Sequence, residues 1–203
     1  MPLLKGSVSF ARFHAAPPAT AQAEHLLEGL RLRAFEPIAL QGEEERAAGF
    51  VELENHTSTA FAPSATFQGD WLVCAWRIDT IRISAAQLNE ELKAWIQDFE
   101  NKNERAPSRY ERSEAKMALR KELRAVTPPT TKTFDVAWNL GTGALQIFTL
   151  SRKLVDEILV AFDKSFDVTP LPRSPQVLFD EAGLQDAHVK PTPELCWPGL
   201  SLV

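Results

Sequence analysis

Six basic residues, Arg105, Arg109, Arg112, Lys116, Arg120 and Arg124, recur at intervals of 4, 3, 4, 4 and 4. Intervals of three and four return to one face of an α-helix, so from Arg109 onward the run predicts a single cationic stripe. Positive charges repeated along a rigid element are what phosphate binding needs, because each neutralised phosphate releases counterions. Lys121 falls on the same predicted helix, and Lys132 lies just beyond it. Between Asn101 and Lys132 nine basic residues stand against four acidic ones, a local charge of +5 in a chain whose net charge is −5. The plainer reading is that Glu111, Glu114 and Glu122 pair with these cations and leave only a solvated face.

Other chemistries find less support. The four histidines, His14, His25, His56 and His188, form no pair at metal-ligand spacing with one another or with Cys74 and Cys196. Gly141-Thr142-Gly143 lacks the phosphate-loop pattern and reads as a hairpin turn, where glycine tolerates positive φ. No G-x-S-x-G elbow occurs, and Asp79, Glu90 and Glu91 read as surface acids. Cys74, inside the apolar run Leu72 to Trp76, reads as a buried thiol, and two cysteines make no disulfide framework, as expected of a reducing cytoplasm. No apolar run reaches the roughly 18 residues of a membrane span. The expectation is a non-enzymatic cytoplasmic protein with no catalytic residues, metal, cofactor or small-molecule substrate.

Several elements must hold the basic segment in place. A strand is predicted over Trp71 to Ile83, and Ser84 can cap a helix from Ala85 to about Lys102. On that helix Leu88, Leu92, Trp95, Ile96 and Phe99 share one face. Pro107 breaks the pattern, so a helical hairpin turns near Ala106 to Tyr110 and its second, basic helix runs from about Glu111 to Ala125. A β-hairpin follows over Lys132 to Thr149, with Phe134, Val136 and Trp138 in alternation. Before this block come a strand over Ser7 to His14, a helix capped by Thr20 and running to about Arg33, and a second strand led by Phe35-Glu36-Pro37-Ile38. Glu43 to Arg46 reads as a solvated helical turn, Gly49-Phe50-Val51 as a return to the core, and Asn55 to Phe67 as a loop. After the hairpin, Ser151 caps a helix striped by Leu154, Val155, Ile158, Leu159 and Phe162, and a short strand spans Asp167 to Leu171. The fold class is α+β, with antiparallel or mixed sheets, packed helices and a protruding basic helical hairpin at about 85–126. Residues 1–170 form the domain. Residues 171–203 read as a Pro-rich tail, wrapped or disordered, that Trp197 and Leu200 could anchor.

The order of these pieces resembles the RdgC family of recombination-associated proteins. The residues that carry the resemblance are the first strand, Phe35 to Ile38, Gly49 to Val51, Leu72 to Ala75, the Leu88/Leu92/Ile96 helix, the basic hairpin, Trp138 before its turn, and Val168-Thr169-Pro170-Leu171. It covers roughly residues 5 to 175. The resemblance implies a ring-forming homodimer, associated with the nucleoid, that binds double-stranded DNA without sequence preference and opposes RecA filament function. It would place Arg109, Arg112, Lys116, Arg120, Lys121 and Arg124 against the phosphates, with Arg105 and Lys132 as auxiliaries. A second expectation is a shortened relative that does not bind DNA and serves as a protein-interaction or assembly module through its tail.

Overall fold

The computed structural model of the chain describes residues 9–18, 22–39, 42, 44–174, 178, 182 and 183. Its elements run β1 (Ala11–His14), α1 (Ala23–Leu32), β2 (Arg46–Val51), α2 (Pro63–Thr66), β3 (Phe67–Gln68), β4 (Trp71–Thr80), α3 (Ala85–Asn103), α4 (Arg109–Val126), β5 (Thr130–Asn139), β6 (Ala144–Ile147), α5 (Arg152–Phe166) and β7 (Leu171–Pro172). The class is α+β. Seven strands form one sheet in the order β2-β4-β5-β6-β1-β7, and β3 pairs with the start of β4. Every pairing between these strands is antiparallel.

Strand β4 shows how the sheet divides its two faces, because successive side chains on a strand point to opposite sides. Leu72, Cys74, Trp76 and Ile78 enter the larger core cluster, together with Leu26, Leu27 and Leu30 of α1 and Val155, Ile158 and Phe162 of α5. Val73 and Ala75 enter a smaller cluster with Phe35, Val51 and Leu53. The two helices approach closely because α1 carries Gly29, where a Cβ would stand 2.6 Å from the Ser165 carbonyl oxygen. Trp138 is fully buried at the centre of the larger core, edge-on to Phe162 with ring centroids 4.8 Å apart. Its indole Nε1–H donates to the Ala15 carbonyl at 2.8 Å, so its one polar group is satisfied where no water reaches. Cys74 is a buried free thiol, and burial, then the nearby Asp135 charge, push its pKa far up.

Several expectations shift. The first strand covers only Ala11 to His14, and Ala11 and Phe13 are the residues that pack on the core. Phe35 to Ile38 forms no strand. Phe35 instead lies across Gly49, whose hydrogen leaves room that a Cβ would fill at 2.5 Å. The second strand is β2, so Arg46 opens a strand rather than closing a helical turn. Asn55 to Phe67 is a loop except for the single turn α2 and the start of β3 at Phe67. Strand β4 ends at Thr80, three residues short of Ile83. Asp167 takes a left-handed turn at φ 53° instead of beginning a strand. Leu171 and Pro172 belong to the sheet through β1, so its last strand crosses the expected domain boundary. Asp79 is not a surface acid but 2% exposed, gripped by Arg77 at 2.7 and 2.9 Å and by the Thr131 hydroxyl at 2.8 Å. Burial works to raise its pKa, and these hydrogen bonds with the Arg77 charge outweigh burial and hold it below the usual carboxylate range. Thr20, Glu43, His188, Cys196, Trp197 and Leu200 lie outside the described residues.

Between β4 and its neighbour β5 the chain leaves the sheet as the helical hairpin α3–α4. Helix α3 has no buried residue. Its stripe of Leu88, Leu92, Trp95, Ile96 and Phe99 is half-buried, and the element it packs against is α4. The hairpin is therefore an arm fixed at its root to the end of the sheet.

Candidate nucleic-acid interface

Helix α4 begins at Arg109, two residues ahead of expectation, because Ser108 and Glu111 form a capping box. The Ser108 hydroxyl accepts from the Glu111 N–H, and the Glu111 carboxylate accepts from the Ser108 N–H. The S-x-x-E signature was present in the sequence at Ser108 to Glu111. Arg105 closes the same corner. It holds Glu111 through two hydrogen bonds of 2.6 and 3.0 Å and lies over the Phe99 ring at 5.0 Å. The Arg105 hydrogen bonds, then the Ser108 backbone and side chain, pull the Glu111 pKa down to about 2. Arg105 thus braces the turn of the arm.

At 100° per residue, Arg109, Arg112, Lys116 and Arg120 fall within an arc of about 80° along roughly 16 Å of helix. All four are exposed. Arg109 and Lys116 make no ion pair among the described residues, and Arg112 uses its Nε–H on the Pro107 carbonyl at 3.1 Å. Arg120 bonds Glu45 at 2.6 Å, an exposed pair of modest strength. Lys121 is exposed on a neighbouring face. Of the three helix glutamates that could have neutralised the stripe, only Glu111 forms an ion pair among the described residues. Helix α4 therefore keeps most of its positive charge.

Arg124 is different. It continues the interval of four, yet it is 6% exposed at the arm root. Its guanidinium donates to the Ala39 carbonyl at 3.1 Å and to the Glu44 carbonyl, stitching α4 to the segment before β2. Lys132 sits apart from the helix on β5, exposed, opposite Ile78 of β4. The structure thus gathers Arg109, Arg112, Lys116, Arg120 and Lys121 on the arm, Lys132 at its root, and assigns Arg105 and Arg124 to bracing.

Two cations that spacing did not single out stand beside Lys132. Arg82 follows β4, and Lys153 lies in the first turn of α5; both are exposed and without an ion-pair partner among the described residues. With Lys132 they come from three separate stretches of the chain, so no local periodicity marks them. Among the described residues no group of three or more His, Cys, Asp or Glu side chains could hold a metal ion, and no helix is long and apolar enough to cross a membrane.

A single antiparallel sheet backed by two helices, with a two-helix arm that carries a basic stripe on α4 inserted between adjacent strands, defines an α+β protein. The chain belongs to the RdgC family, whose model, described as "Putative exonuclease, RdgC", matches residues 9–177. No curated protein matches it.

Proposed function

We propose that this protein is a non-enzymatic, sequence-independent binder of double-stranded DNA, acting as a homo-oligomer at the nucleoid and modulating recombination. The observation that carries the reading is the run of exposed cations on α4, left unneutralised by the helix's own glutamates. Family membership supports a nucleic-acid partner, since the family description names an exonuclease, and leaves the non-enzymatic part of the reading to experiment. The mechanism is phosphate neutralisation: guanidinium and ammonium groups on the arm replace the counterions of the duplex, with no base contact required. Specificity for sequence is not expected, because the cationic side chains are spaced along a rod and not arranged for reading base edges.

Fluorescence anisotropy of a labelled random-sequence duplex, repeated across a salt series, tests this. Binding should weaken steeply with salt, with a log–log slope of about −0.9 for each phosphate neutralised. Reversing Arg112, Lys116 and Arg120 to Glu should abolish binding while thermal melting stays near wild type. Unchanged affinity in that triple variant would sink the assignment. The family description adds a second arm to the experiment. Incubation of an end-labelled linear duplex with Mg²⁺ or Mn²⁺ should leave it intact, and time-dependent shortening that purifies with the protein would replace the binding reading by a nuclease one.

A further inference from the structure

The side of the sheet that faces the helices changes character towards the arm. Three ranks of paired residues cross β2, β4 and β5 on that side. Phe50, Trp76 and Phe134 form the first, Ala48, Ile78 and Lys132 the second, and Arg46, Thr80 and Thr130 the last. Aromatic packing gives way to hydroxyls and cations within four residues of each strand. On a face that α1 and α5 otherwise cover, period-two patterning alone would place apolar residues in all three ranks. Residues of the last two ranks, with Phe134 of the first as an apolar wall, line a cleft of about 390 Å³, closed by Arg82 after β4 and by Lys153, Leu154 and Glu157 of α5. Arg82 also lines the next cleft, about 420 Å³, which Lys116 and Arg120 of the arm enter from α4. The two clefts therefore share one lining residue, Arg82.

Charge in this trough is lopsided. Arg46 is held by both carboxylate oxygens of Glu157 at 2.6 and 2.7 Å, and Arg120 by Glu45. Arg82, Lys116, Lys132 and Lys153 are exposed and have no ion-pair partner among the described residues. They project from four different stretches of the chain into one trough, so the cluster is not the solvated face of a single helix. A cavity of this size takes one sugar–phosphate backbone rather than a whole duplex. The Thr80 and Thr130 hydroxyls add neutral donors of the kind that fix a backbone in register.

We propose that one strand's backbone runs through this trough at the arm root, with Arg82, Lys116, Lys132 and Lys153 as the cations that meet its phosphates and Glu157 as the carboxylate that withholds Arg46 from it. The inference rests on the DNA-binding reading and moves its centre from the outer arm to the junction of arm and sheet.

The test uses the full chain, the same labelled duplex and the same salt series, with three variants checked by thermal melting. The trough variant R82Q/K132Q/K153Q should bind at least tenfold more weakly. Its salt slope should be shallower by about 0.9 for each phosphate left unneutralised. The control variant R33Q/K164Q, which removes two exposed cations that lie on neither the arm nor the trough, should keep the wild-type slope. E157Q should bind more tightly and steepen the slope by about 0.9, because it frees one cation. An effect of that sign cannot come from misfolding. Wild-type binding left unchanged by both the trough variant and E157Q overturns the trough and leaves DNA binding to the outer arm. Absence of binding by the wild type at low salt overturns both readings.

Discussion

Arg124 marks the limit of reasoning from spacing. Its interval of four from Arg120 places it on the cationic stripe, and the helix does extend through it. Spacing names a face of a helix but not where along its length that face becomes covered. The cover is the segment around Ala39 and Glu44, more than 75 residues earlier in the chain, whose carbonyl oxygens need donors. Replacing Arg124 by Met should therefore act on stability. Losing the two hydrogen bonds of this buried guanidinium costs about 1–3 kcal/mol, measurable as a lower urea midpoint. DNA affinity below the transition should stay at the wild-type value. A loss of affinity with unchanged stability would return Arg124 to the binding surface. Asp79 teaches the same lesson with opposite charge. An acid in the pattern Arg77-Ile78-Asp79 reads as exposed until β5 supplies Thr131 across the sheet.

At the scale of elements, the long helices were legible and the short strands were not. The apolar stripe of α3 and the S-x-x-E start of α4 are local signals that the folded arm obeys. Strand β2 has no such signal. Arg46 to Val51 contains two alanines and a glycine, and becomes a strand because β4 offers six consecutive partners. The arm carries a local brace at its turn. Glu111 titrates near 2 because it is bonded to Arg105 and the Ser108 backbone, so this brace is complete above its ordinary value, about 4.3, and is lost as pH falls through 2. A carboxylate NMR titration should place its midpoint well below those of the other glutamates. Ser108→Ala should remove about 1 kcal/mol from the first turn of α4, seen as faster amide exchange there. Unaltered exchange in that turn would show that the cap adds nothing to the arm.

At the scale of the molecule, fold class and the presence of an arm followed from the alternation of elements, but strand order did not. No short-range pattern announces that β1 lies beside β6, since Ala11 pairs with Ile147 across most of the domain. Trp138 is where the distant parts meet: its strand, the Ala15 carbonyl and the α5 rings all close on it. Trp138→Ala should cost about 3–5 kcal/mol and lower the single unfolding transition of the whole domain. Retention of the wild-type melting temperature would contradict its central place. The charge map also belongs to this scale. The +5 of residues 101–132 lies beside α3, which carries Glu90, Glu91, Asp98 and Glu100 against Lys93 and Lys102, so the positive charge is a stripe on α4 and not a property of the whole arm.

The partnership of β1 and β6 also has a consequence in time. A ribosome releases the amino end first, so β1 emerges with nothing to lie against until Ile147 and its neighbours follow, a delay on the order of 10 s at 5–20 residues per second. For that interval Ala11 and Phe13 are open to any passing chaperone, while the arm, whose helices are neighbours in sequence, can already be formed. The nascent chain can thus form its helical limb before it has closed the body that carries it.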